Sequence, residues 1–345
     1  MRQMTNDERN PRGAEQNSCA RTWRSLWSAR VFRRFPWEEC LGTGGHACCP
    51  TQSGGTRAHS KRSATSAAPD PISSFIIRHS SFVIVLIPLL LLLTLSVSGA
   101  AEPLHALMIT GGCCHDYEAQ KKILSEGISA RANVTWTILH EGGSDEKEQK
   151  FSIYEKLDWA KGFDVVVHNE CSGMVTNVDW VEHIAKAHFD GVPAVVIHCS
   201  IHSYRKSSTD EWRKVLGVSS FRHQPKRQFE VVNIKPEYPV MKGFPLTWHH
   251  DPDELYEIVK VWPNCIPLAE SITPKKETEK HPSIWVNTYG KARIFGTTLG
   301  HGNETMQRPE YLDLVTRGLL WACDKLDEDG KPKAGYGKSG RAATK

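Results

Sequence analysis

The sequence predicts an α/β fold built around a doubly wound, mostly parallel sheet with extra strands. Strand-like and helix-like segments alternate over residues 104–197, which is the pattern of consecutive β-α-β units. Several strand-like segments are almost continuously apolar, as expected for strands that helices cover on both faces. These two observations favour a flavodoxin-like architecture, and they do not determine the order of the strands.

Each element is predicted from the spacing of its apolar residues and from flanking turn residues. In the first half we expect strands over 104–110, 134–139, 164–168 and 194–197, and helices over 117–131 and 179–190. Asp179 is expected to cap the second helix, and Phe189 is expected on its buried face. In the second half we expect a short helix over 210–216, strands over 228–234, 254–261, 266–271, 283–289 and 293–298, and a last helix over 309–323.

The N-terminal part of the chain has a different composition. Residues 1–74 are rich in arginine and lack a helical or strand period, so we predict a disordered extension, or a stretch added by an incorrect gene start. The segment Phe82–Val97 has no charged residue, follows Arg78 and precedes the small residues Ser98–Ala101. A basic flank, an apolar core and small residues in this order are typical of a secretory signal peptide.

We therefore predict a signal peptide over 75–101, cleaved after Ala100 or Ala101, with an uncleaved membrane anchor as the alternative. The domain that follows would occupy residues 102–326 and would be periplasmic or secreted. Residues 327–345, rich in glycine and lysine, are expected to form a flexible basic tail. Apart from the signal or anchor segment, no membrane contact is predicted.

The charge and the motifs of the exported part indicate which classes of partner to expect. It is close to neutral, so it gives no reason to expect a nucleic acid partner. Neither a GxGxxG motif nor a Walker loop occurs, so a phosphate-binding loop is not predicted. Whether the protein forms a homo-oligomer stays open. Six cysteines permit disulfides in an exported protein. The adjacent Cys113 and Cys114 are expected not to bridge each other, because a relaxed disulfide needs a larger separation of Cα atoms.

Reactive side chains follow four of the predicted strands. His198, Cys199 and His202 follow the strand 194–197. The other three strand ends are followed by His115 and Asp116, by Glu170 and Cys171, and by His301 and Glu304. Because the carboxyl ends of parallel strands meet at one edge of a sheet, we expect a single small-molecule pocket there.

Two interpretations of this pocket follow from the residue types. The first is a site for Zn²⁺ or a similar divalent metal ion, as in a hydrolase of a sugar derivative. Its ligands would be His115, His198, His202 and His301, with Glu170 or Asp116. The second is a non-catalytic sugar-binding module. Its aromatic rings would be those of Tyr204, Trp248, Tyr256 and Trp285.

Several motifs in the exported part occur in the order found in one known family. They are Thr110–Gly112, Val196–His198, Asp253–Tyr256, Ile284–Asn287, Tyr289–Phe295, Thr297–His301 and Leu320–Ala322. With them, about residues 103–325 resemble the ThuA-like (trehalose utilisation) family. The resemblance implies a class I glutamine amidotransferase-like fold and a role in the use of trehalose or another carbohydrate. It implies no settled reaction, so whether the protein is an enzyme stays open.

The resemblance also implies site residues. The parent fold uses a cysteine on a sharp strand-to-helix turn, a histidine that activates it and a glutamate that orients the histidine. Cys199 or His198 would occupy the turn, and His301 would be the histidine. Glu304 resembles the glutamate but lies one residue further along, and Ile201 replaces a glycine of the turn, so glutaminase chemistry is not expected. Independently of the resemblance, Gly111 and Gly112 are expected to form a tight turn that brings backbone N–H groups towards a ligand. The full set of residues expected to bind the substrate is Gly111, Gly112, Glu170, Glu254 and Tyr256.

Overall fold

The computed structural model describes residues 101–143, 146–273 and 276–338. The predicted N-terminal extension, the predicted signal peptide up to residue 100 and the end of the basic tail lie outside these residues. Within the described ranges, no helix has both the length and the apolar character needed to cross a membrane.

Strands and helices alternate in the first half of the described chain, and strands dominate the second half. The strands are β1 (Leu104–Gly112), β2 (Val134–Glu141), β3 (Val165–Cys171), β4 (Ala194–Ile197), β5 (Val218–His223), β6 (Glu230–Asn233), β7 (Thr247–His249), β8 (Tyr256–Val261), β9 (Ile266–Thr273), β10 (Lys276–Tyr289) and β11 (Ala292–Thr297). The helices are α1 (Tyr117–Ser129), α2 (Val178–Asp190), α3 (Glu211–Leu216), α4 (Asn303–Gln307) and α5 (Pro309–Ala322).

One large mixed sheet forms the centre of the domain, with strand order β2-β1-β3-β4-β11-β10-β9-β6-β7. The first five strands in this order pair in parallel, and each later pairing is antiparallel. Strands β5 and β8 pair with each other in a separate two-stranded sheet. This arrangement confirms the predicted fold class and supplies the strand order that the sequence left open.

The parallel strands β1, β3, β4 and β11 are buried almost along their whole length, and most of their residues are apolar, because helices cover both of their faces. Along β1, Met108 packs into one core with Leu124 of α1 and Leu319 of α5. Its neighbour Ile109 points to the opposite face and packs into a second core with Ile184 of α2. Successive side chains of a strand alternate between faces, so two helical layers bury both sets.

The boundaries of several elements differ from the prediction. The short elements β5, β7 and α4 were not predicted, because each is too brief to show a clear period. The predicted cap Asp179 is wrong: Asn177 accepts a hydrogen bond from the Trp180 backbone at 2.8 Å and begins α2. Phe189 is 55% exposed rather than buried, because it lies in the last turn of α2, where it packs edge-on against Tyr289.

Gly111 and Gly112, which were predicted to approach a ligand, are buried within the sheet. Both have positive φ, at 126° and 86°. A Cβ on Gly111 would lie 1.8 Å from the carbonyl oxygen of Glu141, and one on Gly112 would lie 2.1 Å from that of Cys171. Glycine is therefore required here because the end of β1 is pressed between the backbones of β2 and β3.

We predict that Gly111→Ala lowers the free energy of unfolding by about 3 kcal/mol or more, because it adds both a left-handed strain and a backbone overlap. Gly243→Ala is the matched control, since Gly243 also has positive φ (75°) but no atom within 4 Å of the added Cβ. That change should cost only about 1 kcal/mol. Urea titration measures both, and equal losses would contradict the packing role of Gly111.

Candidate functional site

Three histidines meet at the carboxyl edge of the parallel strands. His115 follows β1, His198 follows β4 and His301 follows β11. One ring nitrogen from each lies within 4.8 Å of the others. The ring centroids of His115 lie 4.8 Å from those of both His198 and His301. The predicted convergence of strand ends thus brings together three of the four histidines that were expected to bind metal.

His198 occupies the sharp turn that ends β4. Its φ is 44°, and it opens a 3-10 helix over His198–His202. A left-handed conformation is costly for a residue with a Cβ, about 1–3 kcal/mol, and such residues cluster at functional sites. Of the two residues that the resemblance allowed at the turn, the structure therefore selects His198 rather than Cys199.

Backbone carbonyls fix the orientation of two of the rings. His198 Nδ1 lies 2.6 Å from the carbonyl oxygen of Thr298, and His115 Nδ1 lies 3.3 Å from that of His301. A carbonyl can only accept a hydrogen bond, so each Nδ1 carries the hydrogen and each neutral ring keeps its lone pair on Nε2. This is the outer-shell arrangement that metal-ligating histidines require.

Glu254 is the carboxylate of the cluster. One of its oxygens lies 3.4 Å from His198 Nε2, and the other lies 3.3 Å from His301 Nδ1. The neighbouring Asp253 is fully buried and accepts hydrogen bonds from the backbone N–H groups of Gly300 (2.8 Å) and His301 (3.2 Å). Asp253 therefore holds the loop after β11 in place, while Glu254 faces the histidines.

The electrostatics of the cluster keep its members in different charge states. Burial, together with the neighbouring His198 and His301, lowers the pKa of His115 to about 2. Burial alone would lower the pKa of His198, but its hydrogen bond to Glu254 and the charge of Asp253 outweigh burial and raise it. Burial would raise the pKa of Glu254, yet its hydrogen bonds to His198 and His301 lower it well below the usual range. Glu254 is therefore ionised and His115 neutral near pH 7.

Two adjoining cavities open at this edge instead of the single predicted pocket. The outer cavity has a volume of about 620 Å³ and includes Asp116, Lys226 and Glu304 in its lining. The inner cavity has a volume of about 180 Å³ and includes Glu254 and Tyr256. Both are lined by Cys114, His115 and His301, so two of the three histidines lie between the cavities, and His198 is buried behind them.

Four cysteines lie beside the histidines as two disulfides, Cys113–Cys114 and Cys171–Cys199. The prediction that the adjacent pair would not bridge is wrong: the two Cα atoms are 3.7 Å apart, and Cys114 adopts a left-handed backbone (φ 85°) that lets the sulfurs meet. The predicted role of Cys199 as a nucleophile is also not supported. The sulfur of Cys199 is bonded to Cys171, so it offers no thiolate for the predicted nucleophilic role in this oxidised form.

Two further predicted residues lie away from the histidine cluster. Glu170 was expected to bind substrate or metal, but it is fully buried, and its carboxylate contacts His168 Nδ1 at 2.8 Å and the hydroxyl of Tyr154 at 3.1 Å. The alternation of side chains along β3 explains this, since Cys171 then faces the cavity. His202 lines the inner cavity, but its Nε2 forms a hydrogen bond with the hydroxyl of Ser220 at 2.9 Å.

The remaining predicted residues divide between the cavities and the core. The Tyr256 hydroxyl lies 3.5 Å from His198 Nε2, so this tyrosine is in the site. Glu304 lines the outer cavity, but the carboxylate beside His301 is Glu254. Trp248, Trp285 and Tyr204 are at most 5% exposed and are core residues, which removes the stacking surface of the sugar-binding interpretation.

Sequence reasoning missed two groups that shape the site. One is Asp253, for which the Asp-Glu pair of the motif was a usable signal. The other is the carbonyl of Thr298, which could not have been found because a backbone acceptor has no sequence signature.

The pKa values of the buried histidines predict how the stability of the metal-free protein changes with pH. Burial lowers the folded-state pKa values of His115, His188, His202 and His250 below the ordinary 6.5. Below pH 6.5 the unfolded chain binds protons that the folded chain does not, so stability falls as pH falls. His198, whose pKa is raised, is protonated in both states there and adds no slope. We expect a loss of up to about 5 kcal/mol per pH unit between pH 6.5 and 5.

Urea titration in the presence of a chelator measures this slope. His115→Gln should reduce it by about 1.4 kcal/mol per pH unit, whereas His249→Gln should leave it unchanged because His249 is exposed. A stability that is flat over this interval would contradict the description of the buried histidines as neutral.

Comparisons with known proteins identify the family of the domain. The model of the family described as ThuA, trehalose utilisation, matches residues 106–322. A ThuA-like protein from Parabacteroides merdae ATCC 43184 is 20% identical and has a TM-score of 0.52, with 68% of this chain and 96% of that chain covered. Another from Bacteroides uniformis ATCC 8492 is 16% identical, with a TM-score of 0.48 and coverage of 69% and 98%.

A third similar structure is that of a GMP synthase component from Thermoplasma acidophilum, which is 13% identical with a TM-score of 0.41 and coverage of 65% and 96%. No curated protein matches. At 20% identity the Parabacteroides merdae structure shows the fold alone, whereas the family model spans most of the described domain. The chain therefore belongs to the ThuA (trehalose utilisation) family.

Proposed function

We propose that this domain binds a divalent transition metal ion, of the zinc type, on His115, His198 and His301, and that it hydrolyses trehalose or another small carbohydrate there. The observation that carries the proposal is the convergence of the three imidazoles, with one ring nitrogen from each within 4.8 Å of the others. Three histidine ligands that leave a further position open are typical of catalytic zinc sites.

The charge states of the cluster fit a metal ion. A metal ligand must be an unprotonated imidazole. His115 is held neutral by burial and by its two histidine neighbours. The Thr298 carbonyl leaves Nε2 of His198 free whenever that ring is neutral. In the metal-free form Glu254 and Asp253 raise the pKa of His198 because they stabilise its positive charge, and a bound cation would be stabilised by the same carboxylates in place of the proton.

The chain's own residues then have distinct roles. A bound metal ion would supply Lewis-acid chemistry at this point. Glu254 is ionised, lies within 3.5 Å of two of the three histidines and lines the inner cavity, so it is placed to accept a proton. The Tyr256 hydroxyl, 3.5 Å from His198 Nε2, can donate a hydrogen bond beside it.

The outer cavity suits a small carbohydrate. Its volume of about 620 Å³ lies within the usual range for small-molecule sites. Its lining includes Asp116, Lys226, Asn303 and Glu304, which can exchange hydrogen bonds with hydroxyl groups. The description of the matching family as trehalose utilisation supports the same substrate class.

We predict that the purified domain binds about one zinc ion per chain and that His301→Ala lowers zinc affinity by about 100-fold or more, since even outer-shell changes cost 10–100-fold. His140→Ala is the matched control, because His140 lines the outer cavity but lies outside the three-histidine cluster. Elemental analysis and competition with a chelator measure both. Equal zinc content in the two variants would contradict the metal site.

We also expect Glu254→Gln to retain zinc but to lose turnover by a factor of about 10²–10⁴, as for removal of a general base. The assay uses the zinc-loaded domain with trehalose and a set of small carbohydrate derivatives. Zinc-dependent turnover that Glu254→Gln removes would support the proposal. Sugar binding without any turnover would instead indicate a non-catalytic sugar-binding module, and turnover that persists after chelation would exclude the metal.

We further propose that the domain is exported. Two disulfides support an oxidising compartment, where such bonds persist. Asn133 Nδ2 donates to the carbonyl oxygen of Ala101 at 3.0 Å, and cleavage after Ala100 would keep this contact. Mass spectrometry of the protein from the cell envelope should find a mature N-terminus at Ala101 or Glu102. An intact Phe82–Val97 segment would contradict cleavage and favour an anchor.

A further inference from the structure

The two disulfides are in contact with each other. Cys113 Sγ lies 3.6 Å from Cys171 Sγ, which is close to the contact distance of two sulfur atoms. The backbone N–H of Cys113 also donates to the carbonyl of Cys171 at 3.2 Å, and Gly112 pairs with Cys171 in the sheet. The proximity of these two sulfurs is therefore fixed by strand pairing.

The four sulfurs differ in their access to solvent. Cys114 is exposed and lines both cavities. Cys113 and Cys171 are buried, at 3% and 4% exposure. Cys199 is half-buried and lines the inner cavity. All four cysteines line the inner cavity, but Cys114 is the most exposed of them, so a dissolved reactant meets Cys114 first.

We infer that these four cysteines form a thiol–disulfide exchange site, which takes a low-molecular-weight thiol as its reactant and is entered at Cys114. The inference is independent of the metal and of the carbohydrate reaction. Lys147 and Arg205 line the inner cavity together with the cysteines, and cations of this kind stabilise the thiolates that exchange requires.

The exchange has two steps and a release. The external thiolate attacks Cys114 Sγ, a mixed disulfide forms there, and the electron pair of the broken bond leaves on Cys113 as a thiolate. Cys113 then attacks Cys171 Sγ, which forms a Cys113–Cys171 bond and releases Cys199 as a thiolate that takes a proton. A second external thiol attacks the mixed disulfide and frees the Cys114 thiol. In total, two thiols are oxidised to one disulfide, and one disulfide of the protein is reduced to two thiols.

The exchange would change the histidine site. The Cys171–Cys199 bond joins the end of β3 to the residue that follows His198. Its replacement by Cys113–Cys171 frees the His198 turn from β3 and frees the Cys114 thiol, which lies between the two cavities.

The first test is a short pulse of reduced glutathione on the wild-type domain, followed by alkylation and disulfide mapping by mass spectrometry. We expect glutathione on Cys114, a Cys113–Cys171 bond and an alkylated Cys199. Cys199 should be alkylated at least about tenfold faster than Cys265, because burial raises the pKa of the Cys265 thiol to about 12. An intact Cys171–Cys199 bond with Cys113 and Cys114 both reduced, or glutathione attached to Cys171 or Cys199, would overturn the inference.

The second test uses Cys114→Ser, which releases the Cys113 thiol without any reagent. The inference expects a Cys113–Cys171 bond and a Cys199 that can be alkylated, while a retained Cys171–Cys199 bond beside a free Cys113 would overturn it. Cys265→Ser is the control and should keep the wild-type pairing; altered pairing in this variant would indicate general scrambling and would also count against the site. The wild-type pulse remains decisive if Cys114→Ser does not fold.

Discussion

The parallel pairing of β1, β3, β4 and β11 is the constraint on which the rest of the structure depends. These strands are neighbours in the sheet, so the residues after their carboxyl ends share one edge. The three histidines and the two disulfides come from segments far apart in the chain and reach this edge only through that pairing. The buried apolar faces of the strands stabilise the pairing, and the left-handed turn at His198 then directs its ring into the cluster.

A second segment completes the site from outside the parallel strands. Asp253 and Glu254 precede β8, which belongs to the small sheet. Asp253 fixes the loop that carries His301 through backbone hydrogen bonds, and Glu254 places its carboxylate between His198 and His301. The Asp253–Glu254 pair therefore positions His301 and supplies the carboxylate beside the histidines.

The sequence was sufficient for the fold class, the family and the edge of the sheet at which the site lies, because these depend on hydrophobic patterns and on strand direction. It was also sufficient to predict that His115, His198 and His301 lie together, since each follows the carboxyl end of a parallel strand. It failed for Glu170, because the face to which a strand side chain points depends on register. It failed for the Cys113–Cys114 bond, which needs a left-handed backbone at Cys114 that no residue type signals.

The most direct test of the central claim is X-ray diffraction from crystals of the zinc-loaded domain, with data collected on both sides of the zinc absorption edge. We expect one anomalous peak at the centre of the cluster, with nitrogens of His115, His198 and His301 about 2.0–2.1 Å from the ion. An anomalous peak at the cysteines or at surface residues, with none between the three histidines, would contradict it.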